Sequence, residues 1–217
     1  MENVYFSKEG NITKEDAQAL VPEAMKGIGA FSRDGDGHYD LLSAFQKSIR
    51  GSDPDASVFY LARLLSLGEL LSVCRRLRVI ASEDIGLAHP IAAAVVHALC
   101  ESAVSLGLPE ASLPLSEAVI FLATCPKSAE ANFAYSAAMA DIKAGKGKEI
   151  PPHLMDAHYS GAEKLGRGLD YIYPQTLEGN YVKQQYLPND IKDAKYYNYG
   201  NNKTEQAAKA YWDKIKG

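Results

Sequence analysis

Glu83 and Asp84 close the run Val79-Ile-Ala-Ser-Glu-Asp84, an apolar stretch with an acidic pair. Such a pair holds magnesium when it ends a strand facing a phosphate-binding loop. That loop needs the pattern G-x-x-x-x-G-K-[ST], because successive amides and the lysine must converge on the phosphates while the hydroxyl holds the metal. Gly145-Lys-Gly-Lys148 has neither the spacing nor the hydroxyl, and reads as a solvated loop able to touch phosphate backbone. The acidic pair therefore reads as local capping or packing at the end of a helix. His153 and His158 flank Asp156, but a five-residue spacing does not stack two imidazoles on one helical face. His38, His89 and His97 have no companion ligands, so all five read as polar or capping histidines. No G-x-S-x-G occurs, and none of the thiols has an evident histidine and acidic partner. The expectation is a chain with no catalytic residue, no metal and no cofactor of its own.

Cys74, Cys100 and Cys125 lie far apart in apolar or amphipathic runs, which fits buried thiols in a reducing compartment. With 217 residues, 47% of them hydrophobic, the chain can bury a sizeable core. The net charge of -4 gives no overall attraction to nucleic acid, although a local basic surface remains open. The N-terminus lacks a basic region followed by an apolar one, and no run approaches the ~20 apolar residues of a membrane span. The reading is a cytoplasmic protein with no membrane partner.

Helical spacing positions these residues. Ile12, Ala17, Leu20, Val21 and Ala24 suit a short amphipathic helix over Ile12–Met25 with Thr13 as its cap. Gly27, Gly29, Gly35 and Gly37 then mark a linker. Leu41, Leu42, Phe45 and Ile49 predict a first body helix closed by a left-handed Gly51, and Ser52 or Asp53 with Pro54 starts the second, running to Leu67 or Gly68. A third, Glu69 to about Ile85, would bury Leu70, Cys74, Leu77, Ile80 and Ala81. A fourth, Pro90 to Leu106, is rich in Ala and Val, which suggests a central helix buried on more than one side. Ser112, Pro114 and Glu117 open a fifth that Pro126 ends, and Ser128 caps a sixth running toward Ala144. No stretch alternates with period two, so the fold class is all-α, an array of antiparallel helices.

Composition changes after Glu149. Nine of the thirteen tyrosines fall from Tyr159 to Tyr211 among scattered Gly and Pro. That irregular Tyr-rich C-terminal segment is expected to wrap the helical body with its rings buried, before a short charged helix from Glu205 to Ile215. Lys47, Arg50, Arg63, Arg75, Arg76 and Arg78 concentrate on the first three helices, and Lys146 and Lys148 on the later loop. They read either as a solvated face paired with Glu69, Glu83 or Asp55, or as a DNA or partner contact.

One family resemblance runs through the chain. Asp36 to Phe45, Lys47-Ser-Ile-Arg-Gly-Ser-Asp-Pro-Asp-Ala56, Tyr60-Leu-Ala-Arg63, Ala81 to Pro90, Cys125-Pro-Lys-Ser128, Asp156-Ala-His-Tyr159 and Gln184-Gln-Tyr-Leu-Pro188 resemble, in order, the C-terminal region of the RarA/MgsA family. These are clamp-loader-like AAA+ ATPases related to the eukaryotic Werner-helicase-interacting protein, and Ile12 to Asp16 resembles the closing helix of their ATPase lid. The resemblance implies an ATPase, using ATP and magnesium, that depends on DNA and works at stalled or gapped replication forks. It implies single-stranded-DNA-binding protein and replisome components as partners, a nucleoid-associated setting, and a homotetramer held by this helical region in the manner of a clamp-loader collar. The ATPase motifs have no counterpart here, so the expectation is no enzyme activity. The implied layout is a lid remnant and linker over 1–36, an oligomerisation domain over 37–149 and a C-terminal segment over 150–217. Ala92 to Val96 and Val119 to Leu122 are expected to supply core, self-association surface, or both. The alternative is an autonomous DNA-binding module using Lys47, Arg50, Arg75, Arg76, Lys146 and Lys148; a stand-alone enzyme ranks last.

Overall fold

Asp53 and Pro54 start a helix as their side chains dictate. Asp53 lies in extended backbone, its Oδ1 accepts the Ala56 N–H at 2.9 Å, and Pro54 fills the first turn, where no N–H is required. The computed structural model describes residues 36–158 and 167–217. The helix expected over Ile12–Met25 and most of its linker lie outside the described residues. Those residues form seven α-helices and no strand, as the all-α reading requires. They are α1 (Asp36–Arg50), α2 (Pro54–Ser66), α3 (Leu70–Ile80), α4 (Ala92–Leu106), α5 (Ser112–Thr124), α6 (Glu130–Lys143) and α7 (Lys203–Lys216). Among the described residues no helix is long and apolar enough to cross a membrane.

Two compact units interleave along the chain: 36–80 with 94–124, and 81–93 with 125–158 and 167–217. In the first unit α2 packs on α1, α3 and α5, and the core holds Phe45, Ile49, Leu61, Leu64, Val73, Leu77, Val96, Leu115, Val119 and Leu122. Removal of this apolar area from water is the main driving force there. Cys74 on α3 and Cys100 on α4 face each other, with the Cys100 Sγ 3.6 Å from the Cys74 carbonyl; both are free thiols.

Three expectations need correction. Gly51 is not the left-handed residue; Ser52 is, at φ 60°, and a Cβ at Gly51 would make a tight contact of 3.1 Å with the Lys47 carbonyl. The third helix ends as an α-helix at Ile80, continues as a π-helical turn over Ala81–Ile85, and buries Val73 more completely than Leu70. α4 is not central. It buries one stripe, Ala92, Val96, Cys100 and Ala103, while Ala93, Ala94, Ala98 and Val104 face solvent. Alanine raised its apolar content without adding area that needs covering. Pro114, Leu115, Ala118, Val119, Leu122 and Ala123 make α5 the more deeply buried helix.

In the second unit, from Pro152 onward, Glu205 is the one buried residue among those described. Tyr171, Tyr173, Tyr186 and Tyr211 are exposed while Tyr181, Tyr196, Tyr197 and Tyr199 are half-buried, so the expectation of buried rings is corrected for the first four and met only in part by the others. The segment contains short 3-10 turns, and Tyr181 meets Trp212 and Tyr197 meets Tyr199 edge to face.

Candidate functional site

The basic residues divide between the two units. Six lie in the first unit and two, Lys146 and Lys148, in the second. Arg76 donates from Nη1 to Gln46 Oε1 at 2.7 Å, tying α3 to α1. Arg78 reaches the other way, with Nη2 2.5 Å from Glu101 Oε1 on α4, and its Nε is buried without a hydrogen-bond partner among the described residues. The guanidinium of Arg63 lies 6.0 Å from the Phe59 ring centroid, within cation–π range. Gln46, Glu101 and Phe59 thus engage three of the cations for which the sequence points to Glu69, Glu83 or Asp55. Glu69 accepts from the Ser72 hydroxyl and lies 3.9 Å from His38. Lys47, Arg50 and Arg75 are exposed.

Lys146 pairs with Asp141 at 2.9 Å, and the Tyr196 hydroxyl donates to the other oxygen of the same carboxylate. Those two contacts, Lys146 foremost, hold the Asp141 carboxyl below the usual carboxylate range. Lys148 lines a cavity together with Arg167. No group of three or more His, Cys, Asp or Glu that could hold a metal occurs among the described residues.

Sequence reasoning gives no role to Glu205, which is 2% exposed and organises the second unit. Its carboxylate accepts from the Tyr197 hydroxyl at 2.8 Å, Gly200 N–H at 3.2 Å, Asn202 Nδ2 at 2.5 Å and the Ser128 hydroxyl. Burial pushes its pKa up, but those donors outweigh burial and hold it below the ordinary glutamate value. Asn202 also caps α7 by accepting the Glu205 N–H at 3.0 Å. Ser128, the expected cap of the sixth helix, does not take that position. The cap position falls on Ala129, which makes no side-chain bond, while the Ser128 hydroxyl donates to Glu205 and its Oγ accepts the Glu130 N–H at 3.5 Å from one residue further out. The signal available in sequence is Asn202-Lys-Thr-Glu205, an asparagine with a glutamate three residues on.

The acidic pair and Cys125-Pro-Lys-Ser128 meet here. Asp84, buried in the π-helical turn, accepts at its backbone carbonyl from Ser128 N at 2.8 Å, and the Thr204 hydroxyl donates to the Ala88 carbonyl at 2.9 Å. Gly86 at φ 47° lets the chain pass Ser128, since a Cβ there would stand 2.8 Å from its carbonyl. Lys127 donates to the Cys125 carbonyl at 2.6 Å, and burial lowers its pKa. The acidic pair lies in the π-helical turn that follows α3, with Asp84 buried.

α6 presents a different kind of surface. It has no buried residue, and Phe133, Tyr135 and Ile142 are 60%, 67% and 62% exposed. Exposed large apolar groups concentrated on one element are the surface feature that association covers.

Residues 51–216 match the family model described as MgsA AAA+ ATPase C terminal. The chain is 50% identical over 208 residues to the replication-associated recombination protein A of Bacillus subtilis, covering 95% of this chain and 49% of that protein. It is 48% identical over 181 residues to an uncharacterized AAA domain-containing protein of Mycobacterium tuberculosis, covering 83% and 40%. Against the replication-associated recombination protein A of Escherichia coli K12 the identity is 35% over 187 residues, covering 83% and 42%. The chain spans about half the length of the curated relatives it matches.

Proposed function

The chain belongs to the MgsA AAA+ ATPase C-terminal family, and on that premise we propose that it is the oligomerisation and partner-binding region of a replication-associated ATPase. The observation that carries this reading is α6, a folded helix whose Tyr135 and Ile142, two turns apart on one face, are left to solvent. A second copy of the chain covers this face, and a homotetramer is the assembly. ATP and magnesium chemistry belongs to the AAA+ core of the relatives, and this chain hydrolyses no ATP. DNA, single-stranded-DNA-binding protein and replisome components are the partners, in the nucleoid-associated cytoplasm. Of the basic residues, Lys47, Arg50 and Arg75 are the exposed cations of the first unit that serve such contacts.

Sedimentation and light scattering of the whole 217-residue chain test the assembly. The expected result is an oligomer that Tyr135→Ser with Ile142→Ser converts to a folded monomer. A concentration-independent monomer before substitution overturns the reading.

A further inference from the structure

Three passes of the second unit border an open cavity of about 540 Å³ lined by His153, His158, Tyr171 and Tyr186. Hydrogen bonds between the passes hold its walls. His153 Nε2 donates to the Gln185 carbonyl at 2.7 Å, fixing the 152–154 turn against the 184–186 strand-like run. The Gln184 carboxamide bridges to the third pass, donating to the Ile172 carbonyl at 2.9 Å and accepting from Ile172 N at 3.3 Å. The same amide donates to the Tyr186 hydroxyl at 2.8 Å, which orients that ring. Gly168 brings the chain close beneath, since a Cβ there would lie 2.5 Å from the Ala157 Cβ.

A second cavity, of about 560 Å³, shares the wall Leu154-Met155-Asp156 with the first and is lined by Lys148 and Arg167. Aromatic rings and cations therefore stand on two sides of one short segment. Each volume falls in the range of about 300–1,000 Å³ typical of small-ligand sites. Two anions temper the basic side. Glu149 lines it as well, and Asp156 is engaged by His158, with Nδ1 at 2.5 Å and the His158 backbone N–H at 3.1 Å.

We propose that the paired cavities hold one nucleotide of single-stranded DNA, with its unpaired base against Tyr171 and Tyr186 and its phosphate beside Lys148 and Arg167. A stacked base and a neighbouring phosphate are the two features that sequence-tolerant single-strand sites recognise. The local balance of charge places most of the binding on stacking and makes the salt dependence modest. A duplex keeps its bases in the stack and cannot enter. The choice of DNA rests on the replication reading above; the cavity does not depend on α6 or on oligomerisation.

Fluorescence anisotropy of a labelled oligothymidylate with the full chain tests this. Tyr171→Ala and Tyr186→Ala should each weaken binding about tenfold, while Tyr186→Phe stays within about threefold. Lys148→Gln with Arg167→Gln should reduce the salt slope by about 0.7 for each phosphate no longer neutralised. Absence of binding at low salt, an unchanged affinity in both alanine variants, or equal affinity for a duplex each overturns the assignment. Circular dichroism checks that the variants fold. On the unsubstituted chain, photocrosslinking of a bromodeoxyuridine oligonucleotide should give adducts at Tyr171 or Tyr186, and adducts confined to other sites sink it. Light scattering on the same variants keeps the oligomer claim separate: their assembly should be unchanged, whatever becomes of the DNA.

Discussion

The two units are held by different forces. In the first, helices 36–80 and 94–124 close over fully buried Phe45, Leu64, Leu77 and Leu122, a non-directional apolar core. In the second, the largest fully buried side chain outside the 81–93 stretch is that of Glu205, its carboxylate gripped by four donors from two parts of the chain. The lesson is that one chain uses bulk burial where helices can stack and directional bonds where irregular backbone cannot. Buried charge is tolerated in the second case because every one of its contacts is a donor.

Substitutions can break or sharpen this contrast. The largest effect is expected for Phe45→Ala, about 4 kcal/mol lost through transfer and cavity terms, seen by denaturant unfolding. Amide exchange should place that loss first in the unit of 36–80 and 94–124; equal loss of protection across both units would dissolve the contrast. Glu205→Ala should cost about 3 kcal/mol, since it removes a charged acceptor and leaves buried donors unmet. Its exchange signature should fall on 125–158 and 167–217, and a cost near zero would show that the carboxylate is not what orders them.

Gly86→Ala comes next, at about 2 kcal/mol, because the alanine must hold a left-handed backbone against the Ser128 carbonyl. Thermal unfolding would register it, and an unchanged Tm would mean that the turn relaxes freely. The mildest test is acid. The folded-state pKa of Glu205 is depressed, so its contribution is fully present above the unfolded value of about 4.3 and is lost as pH falls through the folded pKa. Exchange protection of α7 should therefore fall on acidification below that point, earlier than that of α1 and α2; a simultaneous loss would assign the acid sensitivity elsewhere.

The same contrast decides what the sequence can tell. Leu41, Leu42, Phe45 and Ile49 recur at helical spacing, and Asp53-Pro54 is a start signal with a mechanism, so the first unit is legible helix by helix. α4 misleads because periodicity counts an alanine as fully apolar although its methyl group asks for little cover. The second unit has no period to read. Ser128, Tyr197, Gly200 and Asn202 converge on Glu205 from positions up to 77 residues away in sequence, and a hydroxyl gives no hint of which carboxylate it will find. The basic residues illustrate the same limit. Their number is visible, but Arg76 and Arg78 turn toward opposite helices, a divergence set by packing alone.

The placement of the three thiols gives the molecule a native chemical clock. Cys74 and Cys100 lie in the first unit and Cys125 in the second, all buried and all free. Burial holds the Cys125 thiol in its protonated, unreactive form, and the facing Cys74 sulfur, followed by burial, does the same for Cys100. Alkylation of Cys100 and Cys125 must therefore wait for the surrounding helices to open, so the rates at which these two sulfurs are modified read the opening of one unit each without a single substitution.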